Sequence, residues 1–161
     1  MGKEKKIIKR LIVFFIAGLF ISGLTAIPIE KEVSFFIKMF EDNQTISNWL
    51  QKVYEGIHSN NQQYPFLAYG YDWLAFAHFV LAILFIGPLR DPIKNKWVIE
   101  FGIITCVLII PFALIAGSFR GIPFWWRLID CSFGIAGILI LGICLRKVKI
   151  LEKLSHQNLN V

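Results

Sequence analysis

Residues Gly121–Leu145 read GIPFWWRLIDCSFGIAGILILGICL. The run is long enough to cross a hydrocarbon core as a helix, which takes about 20 residues. Pro123 suits the first turn of that helix, where a missing N–H is not missed. Phe124, Trp125 and Trp126 are amphipathic rings of the kind found at headgroup level. Below them stand Arg127 and Asp130. An ionisable group in a membrane helix faces the bundle interior or a wet cavity, because lipid leaves it unsolvated.

Outward from this stretch lie three more apolar runs, Leu11–Ile29, Tyr71–Gly87 and Trp97–Ser118. The chain is 56% hydrophobic, against roughly 45–50% for soluble domains, so it needs another solvent. The fold class expected is an all-α integral membrane protein: a four-transmembrane-helix bundle forming one membrane domain over residues 1–161. Its spans are placed at 11–29, 66–87, 97–118 and 123–145, with an insert at 30–65 and a tail at 146–161. The loop at 89–96 is short, so the second and third spans are expected as antiparallel neighbours. Gly87-Pro88 is expected to stop the second span, and Pro111 to kink or loosen the third.

A net charge of +6 raises the question of nucleic acid, and the placement of charge answers it. Lys3, Lys5, Lys6, Lys9 and Arg10 precede the first run, and Arg90, Lys94 and Lys96 sit between the second and third. Arg146, Lys147, Lys149 and Lys153 follow the fourth, so twelve of the 17 basic residues fall on one side of a four-span bundle. This positive-inside bias puts both termini in the cytoplasm and the insert outside. The partner implied is the bilayer of a cell membrane, of bacterial inner-membrane type, and not nucleic acid. The basic start followed by an apolar run also resembles a secretory signal peptide. Leu24-Thr25-Ala26 is a poor cleavage site, so an uncleaved anchor is expected. Glu100, close to Arg90, Lys94 and Lys96, reads as one half of an interfacial charge pair.

In the insert, Val33, Phe36, Ile37 and Phe40 follow helical spacing, as do Ile46, Leu50, Val53 and Ile57. Two amphipathic helices on the membrane face or over the bundle are expected, the second capped by Thr45 or Ser47. A lid that only covers apolar surface is the plain reading of both. His58–Gln63 reads as a polar linker closed by Pro65. Asn43-Gln44-Thr45 matches the glycosylation sequon, a motif common by chance.

Five ionisable residues gather at the outer ends of the second and fourth spans: Asp72, His78, Arg120, Arg127 and Asp130. At ~1.5 Å per residue, His78 and Asp130 lie roughly 10 Å inward from the same side. Arg127 and Asp130 are i, i+3 neighbours able to pair. Asp130, Gly134, Gly137 and Leu141 continue that face, and its glycines allow close approach of a helix. His78 shares a face with Ala75 and Ala82. In one reading the ion pair locks helices and His78 makes a hydrogen bond across the bundle. In the other, the five residues line an outward-facing polar pocket between the second and fourth spans.

The pattern holds no nucleophile in an activating motif and no metal-ligand spacing, so neither a catalytic residue nor a metal or cofactor is assigned. Cys106, Cys131 and Cys144 form no C-x-x-C pair and read as small buried hydrophobes. The leading function class is a non-enzymatic membrane protein that binds or passes a small polar or amphipathic ligand. Behind it stand a membrane-embedded enzyme acting on lipid and a structural or accessory subunit, as a homo-oligomer or with a membrane partner.

Overall fold

The computed structural model describes residues 2–157, and among them it is all-helical, with no strand. Four helical stretches are long and apolar enough to cross a membrane: Gly2–Ala26, Pro65–Arg90, Lys96–Phe119 and Phe124–Ser155. Their apolar side chains are largely uncovered, with Phe14 65% exposed, Phe112 72% and Leu139 61%. Hydrocarbon is the solvent that accepts so much apolar surface. Composition and structure thus agree on a multi-pass membrane protein.

The element boundaries differ from expectation where prolines act. The first helix, α1 (Gly2–Ala26), stops short of Ile29. Pro28 lacks an N–H, clashes with the carbonyl four residues back, and pushes Ile27 out of helical geometry. Beyond that turn α2 (Ile29–Met39) begins, with the Lys31 and Glu32 amides donating to the Pro28 carbonyl at 2.9 and 3.1 Å. Gly87-Pro88 does not end the second span. There α4 (Tyr69–Leu84) passes at Phe85 into a short α5 (Ile86–Arg90). The junction lies where Pro88 removes the amide that would reach the Leu84 carbonyl. Pro111 lies inside α6 (Lys96–Phe119) without ending it.

The last helix, α7 (Phe124–Gln157), runs for 34 residues and takes in most of the stretch expected as a tail. Leu141, Cys144, Val148 and Leu151 are all fully buried. Their three- and four-residue steps carry one buried stripe past the apolar run, so the helix continues with it. Residues 158–161 lie outside the described residues.

The chain divides into two units, Met1–Ala17 with Ala82–Val161, and Gly18–Leu81. The first is built on the α6–α7 hairpin. Its turn is a Schellman motif: the Gly121 amide donates to Ser118 and the Ile122 amide to Gly117, at 3.2 and 2.9 Å. Gly121 stands at φ +68°, the left-handed conformation that glycine adopts without strain. Down the hairpin the helices touch through missing side chains. A Cβ on Gly134 would lie 2.6 Å from the Cys106 carbonyl oxygen, and one on Gly137 would collide with the Cys106 thiol. A Cβ on Gly102 would meet Leu141 and Phe85, both at 2.6 Å. The expected role of Gly134, Gly137 and Leu141 as a helix-contact face is therefore met, with α6 as the partner. All three cysteines are free and buried, as expected.

At the far end of this unit, two ion pairs tie the helices. Lys147 approaches Glu4 to 3.1 Å without the alignment of a hydrogen bond, and Lys96 reaches both carboxylate oxygens of Glu152, at 3.1 and 2.9 Å. Lys94 stands 3.9 Å from Asp91. Among the described residues, Glu100 forms no ion pair with Arg90, Lys94 or Lys96, which corrects that expectation. Lys96, one helical turn away, is already held by Glu152.

The second unit contains α2 packed on α3 (Gln44–Gln63), a 3-10 turn at Pro65–Ala68 and most of α4. The cap of α3 is Asn43, whose side chain accepts from the Ile46 amide at 3.2 Å, rather than Thr45 or Ser47. Leu50 and Ile57 are buried on the expected face of α3, as is Val33 on α2. Phe36, expected in the α2 stripe, is 40% exposed beside the more exposed Phe35 and Met39. Gly23 of α1 lies against Ala75, His78 and Phe79 of α4, where a Cβ would come within 3.0 Å of each. Ala75 is buried with it, so the small-residue face read from the sequence is a helix contact.

Candidate functional site

The five candidate residues fall in both units. In the first unit, Arg120 is exposed at the end of α6, and Arg127 and Asp130 are half-buried on α7. Among the described residues no ion pair joins Arg127 to Asp130, which corrects the expected pair. Arg127 reaches across to α6 instead: its Nη1 donates to the Leu114 carbonyl at 3.2 Å. Its methylenes fill the space left by Gly117, where a Cβ would lie 2.6 Å from Cδ. Its guanidinium carbon stands 5.4 Å from the Phe124 ring centroid, within cation–π range. The glycine opposite draws the stem toward α6, and a carbonyl and a ring replace the carboxylate. Arg127 Nε is buried without a hydrogen-bond partner.

In the second unit, His78 bonds its own helix rather than across the bundle, with Nδ1 2.8 Å from the Leu74 carbonyl. A carbonyl only accepts, so Nδ1 carries the proton and Nε2 of the neutral ring is an acceptor. Asp72, in the first turn of α4, is exposed and lines a cavity of about 480 Å³. Ile27, Pro28, Glu30, Lys31 and Ser34 form one side of it, and Tyr54, Asn61, Ala68 and Tyr71 contribute the rest. His78 is not in this wall. Asp72 also borders a shallower groove of about 260 Å³, floored by Tyr69, Trp73 and Phe76. These rings meet edge to face at 5.8 and 5.6 Å between centroids.

One wall of the cavity is held by a network that the sequence reading did not find. His58 Nδ1 donates to Glu30 Oε1 at 2.6 Å, and Asn61 Nδ2 donates to Oε2 at 2.8 Å. Gln62 Nε2 lies 2.9 Å from His58 Nε2, and the imidazole stacks on Tyr54 at 5.5 Å and 11°. The hydrogen bond from His58, then that from Asn61, hold the Glu30 carboxyl below its ordinary value of 4.5. Burial pushes Glu32, on the same helix, the other way.

His58, Asn61 and Gln62 belong to α3 and not to a linker. Their i, i+3, i+4 spacing was the available signal, and the run of Ser, Asn and Gln between them masked it because those residues are weak helix formers. Glu30 gave no signal, since its partners lie 28 and 31 residues away.

No protein-family model, curated protein or solved structure matches the chain.

Proposed function

We infer that this is a non-enzymatic multi-pass membrane protein that binds a small polar or amphipathic ligand at the outer face of a cell membrane, in the cavity beside Asp72. The observation that carries this reading is the cavity itself. Its size falls within the roughly 300–1,000 Å³ of ligand sites, and it sets Lys31 and Asp72 beside the apolar Ile27, Pro28 and Ala68. A wall with both characters suits a ligand with both. The imidazole bonded to Glu30 of the cavity wall speaks for binding over catalysis. His58 uses Nδ1 on Glu30 and Nε2 toward Gln62, so neither ring nitrogen is open to a substrate proton. The outward placement is supported by the basic residues at the opposite ends of the spans, which put both termini in the cytoplasm. Four spans are few to enclose a path, so passage of the ligand would call for a homo-oligomer or a partner subunit.

Two measurements test this. Ser34→Trp places a large ring into the cavity. In native-lipid particles this variant is expected to lose a small molecule or lipid that co-purifies with wild type, with helicity unchanged. Identical co-purified species in both would overturn the reading. Cysteines at Asp42 are expected to react with an impermeant maleimide on intact cells, and cysteines at Asn95 only after lysis. The reverse pattern would move the cavity to the cytoplasmic side.

A further inference from the structure

The cavity's charges are unevenly occupied. Glu30 has a donor on each carboxylate oxygen, and its charge is met by His58 and Asn61. Asp72 and Lys31, which line the same space, have no hydrogen bond or ion pair to any side chain among the described residues. Both side chains are exposed, so each charge is left to solvent and is open to a ligand. Held apart, they are complementary to a molecule that carries both signs. Tyr71 and Tyr54 line the same wall, and tyrosine is a residue type that can attract an ammonium group.

The second observation is that Asp72 borders the aromatic groove as well. That groove is apolar, with Trp73 55% and Phe76 54% exposed, and it lies on a membrane-length helix. Apart from Asp72 at its edge it is lined by aromatic rings, which suits a hydrocarbon chain better than a free polar solute.

We propose that the cavity binds the headgroup of a zwitterionic phospholipid, its ammonium at Asp72 and its phosphate at Lys31, with an acyl chain in the groove of Tyr69, Trp73 and Phe76. This rests on the ligand-binding reading above and names its ligand class. Asp72 supplies selectivity for the ammonium, because a hydrogen bond between two ionised partners adds the attraction of opposite charges to what a neutral headgroup hydroxyl can donate to the same carboxylate. Lys31 serves any phosphate and supplies affinity without that selectivity.

The experiment uses the full chain in detergent, titrated by native mass spectrometry with three probes. These are dioctanoyl phosphatidylethanolamine, dioctanoyl phosphatidylglycerol of equal chain length, and chain-free glycerophosphoethanolamine. Wild type is expected to prefer phosphatidylethanolamine to phosphatidylglycerol by about tenfold, the worth of one charge-assisted contact at a half-wet site. Asp72→Asn, nearly isosteric at an exposed position, is expected to abolish that preference without weakening phosphatidylglycerol, whose net negative charge gains nothing from the carboxylate. Asp72→Glu, which keeps the charge, is expected to retain it. Lys31→Gln is expected to weaken both lipids alike. Trp73→Ala is expected to weaken both lipids while glycerophosphoethanolamine, already weak, does not change. Far-UV circular dichroism confirms that each variant is folded.

Equal affinity for the two lipids, or a preference that survives Asp72→Asn, overturns the proposal. If both lipids are still displaced by Ser34→Trp in that case, the broader ligand-binding reading stands. Glycerophosphoethanolamine binding as tightly as its lipid counterpart also overturns it, by assigning the site to a free zwitterion. Absence of binding by all three probes removes the proposal, and with unchanged co-purification in Ser34→Trp it removes the broader reading too.

Discussion

Gly134 on α7 meets the backbone of Cys106, whereas Glu30 on α2 meets the side chains of His58 and Asn61. The first contact is made by leaving atoms out, the second by adding polar ones. Each suits its solvent. Between apolar helices surrounded by lipid, burying a leucine gains little, so closeness and dispersion hold the pair, and glycine permits that closeness. In the α2–α3 pair the helices are amphipathic, and faces such as Leu50 and Ile57 gain by being buried together away from water. The polar network then fixes which turn of α3 lies against which turn of α2. The α6–α7 contact at Gly134 is therefore held by shape and the α2–α3 contact at Glu30 by partner identity, and the two should fail under different substitutions.

The largest expected effect breaks the shape-dependent contact. In Gly134→Leu the new Cβ would sit 2.6 Å from a carbonyl oxygen, a backbone atom that cannot swing aside. Overpacking of this kind costs about 1–3 kcal/mol for a few methylenes, and a helix interface without room costs at least the upper end. Gly142→Leu is the control, since nothing lies within 4 Å of a Cβ there, and surface changes of that type stay within about 0.5 kcal/mol. Thermal melts by circular dichroism in detergent distinguish them. Equal melting temperatures would show that α6 and α7 do not touch at Gly134.

The next effect is local and belongs to the insert. Glu30→Gln removes the charge that orders His58 and Asn61. Hydrogen exchange at residues 57–63 is expected to accelerate, while α6 and α7 keep their protection. Acceleration across the whole chain would mean that the network supports more than the α2–α3 contact.

The same contact has a pH dependence with a definite sign. Because the folded-state value of Glu30 is lowered from 4.5, its stabilisation is complete above 4.5 and is lost as pH falls through the depressed value. Glu32, raised by burial, works against this: its contribution is present at low pH and lost as pH rises through its raised value. In a Glu32→Gln background the acid loosening of residues 57–63 should therefore be steeper than in wild type. A background that flattens it would assign the acid response to another group.

These contrasts also mark what the sequence made legible. Apolar runs and the basic residues at their ends are properties of one stretch at a time, so the spans and the Gly134–Leu141 face could be read directly. Proline placement was legible in kind but not in consequence. Pro28 ended a helix, Pro88 broke one at Phe85 without ending the span, and Pro111 lies inside an unbroken helix. The cavity was visible only through Asp72. Its other polar residues acquire meaning from neighbours distant in sequence, as Glu30 does from His58, and periodicity does not reveal such pairs.

The smallest expected effect concerns the pair that spacing favoured and packing refused. An i, i+3 arginine and aspartate on a membrane helix would normally couple, and removing one would leave the other as a costly lone charge. Here Arg127 is committed elsewhere: Leu114 accepts its hydrogen bond, Gly117 makes room for its stem and Phe124 faces its guanidinium. Its stability contribution comes through α6, and Asp130 has no share in it. In a double-mutant cycle of Arg127→Gln and Asp130→Asn, measured by thermal melts, the two effects should add to within about 0.5 kcal/mol, as for sites without a shared partner. Gly117→Ala should resemble Arg127→Gln in that cycle, since a methyl group displaces the stem that carries the guanidinium to Leu114. A coupling well above that margin between Arg127 and Asp130 would restore the ion pair. It would also mean that α7 alone, and not its contact with α6, satisfies the arginine.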